Sequence, residues 1–284
     1  MNKRHLALIA ALAISASLSG CGGDGSSSST TATTPIDASQ LAGNQIAVTV
    51  DWGPVGVRTL NELFASVTIC APGTSNCQTI DHVMVDTASS GLRIIASVLD
   101  PRLLGALPQS YDQSGNPFGE CIQFVNGFSW GPIRHADIKL AGEAAPNALI
   151  QVIGESDFSA IPIACGNTGP AENTVQSLGA NGVLGISVFA QDCGQACVSQ
   201  SNLGMYYVCA SRTCSSVSAS LAQQLWNPVA LFATDNNGSS VTLPAVSSGG
   251  AVTLTGILTF GVATQANNGL GTAAILTVDP TFGE

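Results

Sequence analysis

The sequence predicts an all-β, mostly antiparallel fold. Three observations carry that expectation. Apolar and polar residues alternate in short runs bounded by Gly, Pro and Asn, the period of strands with one buried face. Charged residues make up 9% of the 284 positions, against roughly 25% in an average soluble domain, so coiled coils and long amphipathic helices would lack their polar faces. Finally, 31 glycines and 13 prolines punctuate the chain although its mean hydropathy is +0.33, which suits turns between buried strands.

The strands follow in order as Ile46–Val50, Val67–Ile69, Val83–Val85, Ile138–Leu140, Ile150–Val152 and Val252–Leu254. Helix is confined to short stretches, Asp100 to Leu104 and Ala219 to Trp226. No charged residue occurs between Asn236 and Val278, yet Gly, Thr, Ser and Pro break that run, which reads as buried strands rather than a membrane span. Turns are expected at Asp112 to Gly115 and at Asp235 to Gly238. The length suits about two domains. Four segments are expected: a signal peptide at 1–20, a lipidated cysteine and flexible tether at 21–45, a first lobe at 46–190, and a disulfide-rich connection with a partial second lobe at 191–284.

Export is written into the N-terminus. Lys3 and Arg4 precede an apolar run from Leu6 to Leu18, too short to cross a bilayer. The run ends in Leu18-Ser19-Gly20-Cys21, which resembles the lipobox of bacterial lipoproteins, so Cys21 is the expected lipidation site and mature N-terminus. Acyl chains at about 0.8 kcal/mol per buried CH₂ would hold such a protein on a membrane. Gly22 to Ala38 has the composition of a spacer. With Gly22 rather than Asp after the cysteine, the convention for such lipoproteins in a Gram-negative host points to the outer membrane.

Eight Lys+Arg against 18 Asp+Glu give a net charge of −10, which excludes a basic stripe for nucleic acid. Setting Cys21 aside leaves an even number of cysteines in an exported chain, for which disulfides are the default. Cys70/Cys77, Cys193/Cys197 and Cys209/Cys214 are close enough to close short loops, which leaves Cys121 with Cys165. A thiolate metal site on Cys193, Cys197, Cys209 and Cys214 is the rival reading. No cofactor and no metal are expected. Neither a Gly-x-Ser-x-Gly elbow nor a lysine-bearing phosphate loop is present, and His82 beside Asp81 makes no triad by adjacency. Trp52, Trp130 and Trp226 suit core or interface positions better than sugar platforms.

One stretch offers chemistry. Ile80 to Val85 is a strand that runs into Asp86 and a small-polar loop, Thr87-Ala88-Ser89-Ser90-Gly91, before apolar residues resume at Leu92. Hydroxyls at Thr87 and Ser89, with loop N–H groups, would hold an ionised carboxylate in a set orientation. An Asx-turn closing a strand uses the same residue types.

This stretch resembles the signature of pepsin-like aspartic proteases, two apolar residues followed by Asp, Thr or Ser, Gly, and Thr or Ser. Further segments follow in matching order. Leu63 to Ile69, a turn at Ala71 to Asn76 and Gln78 to Val85 resemble the hairpin that delivers the first aspartate. Phe124 to Ile133 and Ala136 to Leu140 resemble the flap hairpin and its returning strand, which implies a cleft or flap role for Phe124, Asn126, Gly127 and Trp130. Asn181 to Ile186 is similar to the segment that closes the psi-shaped loop, and Asn236 to Leu243 with Gly256 to Gly261 resemble the crossing into a second lobe. The chain also resembles an uncharacterised bacterial lipoprotein family, known only as a domain of unknown function, that shares this fold.

The resemblance implies an envelope protein, anchored by lipid, whose partner is extended peptide and whose catalytic aspartate is Asp86, supported by Thr87 and Ser89. In such enzymes two aspartates share a proton; one takes a proton from water while the other polarises the scissile carbonyl. A second Asp motif is not found up to Glu284, since Asp235-Asn-Asn-Gly238 lacks the apolar run and Asp279-Pro280 lacks the hydroxyl loop. Ala88 stands where the family has glycine, Phe124 where it has the flap tyrosine, and Asn181 where it has an aspartate. The chain is therefore expected to be inactive as written and shortened before the second motif; pairing of two copies about a two-fold axis is the other route to two aspartates. The alternatives are a module that binds peptide without cutting it and a structural surface lipoprotein.

Overall fold

The computed structural model describes residues 40–211 and 213–276; the segments expected to be a signal peptide and most of a tether, with the expected lipidation site Cys21, lie outside them. The described residues fall within one compact unit. Among the described residues twelve strands make a single mixed sheet, mostly antiparallel: β1 Gln45–Val50, β2 Leu63–Cys70, β3 Cys77–Asp86, β4 Ser90–Ile95, β5 Phe118–Gln123, β6 Phe128–Leu140, β7 Glu143–Ile153, β8 Gly182–Ile186, β9 Tyr206–Ala210, β10 Thr213–Ser216, β11 Ser239–Thr242 and β12 Leu254–Phe260. The all-β expectation is met.

Strands β6, β7, β4, β8, β3 and β2 are neighbours in that order, and β2 pairs back onto β6 through Thr68–Lys139, Ile69–Ile138 and Cys70–Asp137. Closure makes a barrel with no free edge. Its interior is filled by the alternating residues read from sequence, among them Val67, Ile69, Val83, Ile138, Ile150 and Leu184. In β3, Ile80 and Val83 both enter the core although three residues apart. His82 there has φ 46, opposite a register shift between Ala65 and Val67 in β2. Such a bulge adds one residue and resets the alternation, so Val83 and Val85 face inward while Met84 and Asp86 reach the cleft.

The first half of β6 belongs to a second layer. Phe128–Pro132 pairs with β5, β5 with β9, and β9 with β10. Strands β9 and β10, within the segment 191–284 that the sequence reading sets apart, thus extend the hairpin sheet. All four disulfides form as expected: Cys70–Cys77, Cys121–Cys165, Cys193–Cys197 and Cys209–Cys214. The thiolate metal reading is overturned, because each of its four sulfurs is bonded to another.

Of the expected helices, one stands as α1 Pro101–Ala106, with Asp100 accepting from the Arg102 N–H and Pro101 at the first helical position. The expected helix at Ala219–Trp226 is corrected to a single 3-10 turn at Leu221–Gln223. Gln223 turns back onto the Ser220 N–H, while Asp192 N–H donates to Leu225 O and Trp226 bridges Gln191, so the following backbone runs extended. Three short helices without a periodic signature were not foreseen: α2 Ile163–Gly166, α3 Val175–Leu178 and α4 Gln195–Ser199. The last strand begins at Leu254, not Val252, where β1 ceases to offer partners beyond Val50. Among the described residues no helix is long and apolar enough to cross a membrane.

Candidate binding cleft

Asp86 is the last residue of β3, paired in parallel with Gly185 of β8. The next strand, β4, lies on the other side of β8 and runs antiparallel to it. The loop 87–89 therefore passes across the end of β8, an arrangement in which two sequential strands enclose a third. The Asp86 carboxylate accepts from the Ala88 N–H at 2.8 Å through Oδ1 and from the Ser89 hydroxyl at 2.6 Å through Oδ2. The two donors hold the plane of the carboxylate. Ser89 does what was expected of it; Thr87 is exposed, and the hydroxyl that reaches the carboxylate is Ser89's.

The loop needs glycine at 185 rather than at 88. Ala88 is exposed and outside the left-handed region, so its methyl adds no backbone strain. A Cβ on Gly185 would stand 2.7 Å from Ser89 O and 2.8 Å from Ser89 Oγ. Gly185→Ala should push Ser89 off Asp86 and cost about 1–3 kcal/mol, as overpacking does; urea unfolding measures the cost, and an unchanged midpoint would contradict it.

Asp86 lines a cleft of about 520 Å³. Its roof is the tip of the β5–β6 hairpin, where the Phe124 N–H donates to Gly127 O at 2.7 Å and Phe124 and Asn126 face the space. Arg58, Thr59 and Glu62 from the loop before β2 form one wall, and Gln176 to Gly179 of the α3 turn another. The Arg58 guanidinium lies over the Trp52 ring at 5.4 Å from its centroid. Two residues expected in the cleft are elsewhere. Trp130 is 1% exposed and packs with Cys121, Cys165 and Tyr207, its indole N–H donating to Phe158 O. Gly127 is buried behind the tip, where a Cβ would meet Pro170 O at 2.5 Å. Large apolar surface and close backbone approach win both positions for the core.

Glu172 is the cleft residue that the sequence reading missed. Residues 170–173 run beside β6: the Phe128 N–H donates to Pro170 O, the Glu172 N–H to Phe128 O and the Trp130 N–H to Asn173 Oδ1. That ladder sets Glu172 in the cleft wall at 5% exposure, against Gly127. Burial pushes its carboxyl above the ordinary glutamate range, opposed by a hydrogen bond from Asn126. Among the described residues it has no ion-pair partner. The available signal was an isolated acid between Gly-Pro and Asn-Thr in a chain with few charges. His82 is held between Asp51 at 3.3 Å and Asp81 at 3.2 Å, and the cleft wall does not include it.

Residues 40–284 match a family model described as "Protein of unknown function (DUF3443)". The chain belongs to this family. No match is found among curated proteins. Among solved structures, the DUF3443 chain is similar to the aspartic proteinase from Irpex lacteus, with 16% sequence identity and a TM-score of 0.43 over 79% of this chain and 49% of that one. It thus spans about half the length of that proteinase.

Proposed function

We propose that this DUF3443 protein is an exported, lipid-anchored envelope protein whose barrel has the lobe architecture of an aspartic protease and binds extended peptide between Asp86 and the β5–β6 hairpin. One observation carries the reading: a carboxylate at the end of β3, oriented by its own loop, opens into a cleft roofed by a hairpin tip. In support, the hairpin, the enclosed strand β8 and the Asp86 loop occur in the chain order that the sequence resemblance implies. Hydrolysis on the shared-proton scheme needs a second acid facing Asp86. Among the described residues the Asp86 carboxylate is hydrogen-bonded to the Ala88 N–H and the Ser89 hydroxyl and to no second carboxyl group, so we assign the described chain binding without cutting.

The cleft carries Glu62, Asp86 and Glu172 against Arg58 alone, which favours peptides with a Lys or Arg side chain. A peptide array with alternating basic and neutral residues should show capture at pH 3–7 without release of cleaved ends. Asp86→Asn and Glu172→Gln should each weaken a lysine peptide by about tenfold, one charge-assisted hydrogen bond. Because burial raises the Glu172 carboxyl, lysine-peptide affinity should rise with pH as that group ionises, and Glu172→Gln should flatten the rise. Turnover blocked by a pepstatin-type inhibitor and by Asp86→Asn would replace binding with peptidase activity. Absence of both capture and turnover would leave a structural surface protein.

A further inference from the structure

In a chain with few charges, an arginine stands in the wholly buried strand β4, sequence SGLRII. Arg93 is 0% exposed. Its Nε and Nη2 donate to the two carboxylate oxygens of Glu120 on β5, at 3.1 and 2.6 Å. Nη2 also donates to Asp192 Oδ2 at 2.9 Å, and Nη1 to Ser90 O, one residue from the Ser89 that orients Asp86. The Tyr206 hydroxyl on β9 donates to Asp192 and accepts from the Leu225 N–H at 2.9 Å. The titratable and charged groups facing Asp192 are thus Arg93 from β4, Glu120 from β5 and Tyr206 from β9. On β7, Gln151 adds a neutral amide that donates to Glu120 O.

One guanidinium against two ionised carboxylates would leave a whole negative charge in a site without solvent, which is strongly unfavourable. The Glu120 and Asp192 carboxylates meet on the same Arg93 Nη2, at 2.6 and 2.9 Å, and two carboxyl groups held so close in a dry site do not both ionise. We infer that Asp192 is a neutral carboxylic acid in the folded protein, donating its proton to Glu120 beside Arg93, and that this proton is a pH-sensitive latch joining β4, hairpin strand β5 and the 192–225 segment. The inference goes beyond the proposed binding function and does not depend on what occupies the cleft. In agreement, burial first and the adjacent Glu120 second push the Asp192 carboxyl well above its ordinary range, outweighing Arg93 and Tyr206.

The sign follows from linkage. An aspartate of the unfolded chain titrates near pH 4, so above that pH the folded state binds one proton more than the unfolded state. The latch's stabilisation is complete below about pH 4 and is lost as pH rises through the elevated folded value. Asp192→Asn keeps a neutral donor of the same shape and removes the titration. Across that window the folding equilibrium constant of wild type, divided by that of Asp192→Asn, should fall about tenfold per pH unit. A ratio independent of pH would overturn the inference.

Infrared spectroscopy of the unsubstituted protein, with ¹³C in aspartate carboxyls, tests it without any folding risk. A protonated-carboxyl band of aspartate at pH 7 is expected; an aspartate spectrum that is wholly ionised, or a protonated band found only with labelled glutamate, would overturn it. Hydrogen exchange at the Leu225 N–H should quicken on raising pH beyond the intrinsic chemical rate in wild type and not in Asp192→Asn; equal behaviour in the two would overturn the latch.

Discussion

Arg93→Met should cost about 3–5 kcal/mol of folding stability at neutral pH, the loss expected when one partner of a buried ion pair is removed. Arg93 and Glu120 are both 0% exposed and meet through two hydrogen bonds. Without the guanidinium, the Glu120 carboxylate has no cation, and Ser90 O and Asp192 Oδ2 each lose a donor. The double variant Arg93→Met with Glu120→Gln should recover much of the loss, because a neutral amide is far cheaper to bury than an unpaired charge. Urea denaturation of the three proteins at pH 7 measures this. A single-variant loss below about 1 kcal/mol would mean that solvent reaches the cluster.

Cys121→Ser with Cys165→Ser is expected to cost about 4 kcal/mol, from the chain entropy of closing a long loop in the unfolded state. The two cysteines are 44 residues apart in sequence. Cys121 lies in hairpin strand β5 and Cys165 in α2, and both are buried with Trp130 and Tyr207. Removing Cys193–Cys197, with a sequence separation of 4, should cost about 2 kcal/mol on the same account. Unfolding midpoints of the two double variants order them. The Cys121–Cys165 variant should also weaken peptide capture, since that bridge secures the strand leading to Phe124 and Asn126; equal losses for the two bridges would argue against the loop-length account.

Much of the fold was legible where local pattern carries it. Ile46–Val50 and the Val83–Val85 run into Asp86 are strands because their apolar residues alternate, and Asp100–Pro101 starts a helix because a capping side chain precedes a residue with preset φ. Asp86 and Ser89 were found in the same way, as neighbours in sequence that become partners in space. Ala219–Trp226 misled because its apolar spacing suits a helix while Gly194 O, Asp192 and Gln191, far back in the chain, take its hydrogen bonds. Trp130 misled because its place on the hairpin says nothing of which face it turns, and the core between Cys121, Cys165 and Tyr207 claims it.

The sequence by itself determined the β architecture, the pairing of short-range cysteines and the oriented Asp86 loop, since each rests on residues a few positions apart whose geometry the backbone period sets. Only the tertiary structure decided that Glu172 shares a cleft with Asp86, and that Arg93, Glu120, Asp192 and Tyr206 meet in one dry site. Those contacts join strands and loops tens of residues apart. Their energies come from burial and from the charge of distant neighbours, quantities that exist only once the barrel has closed.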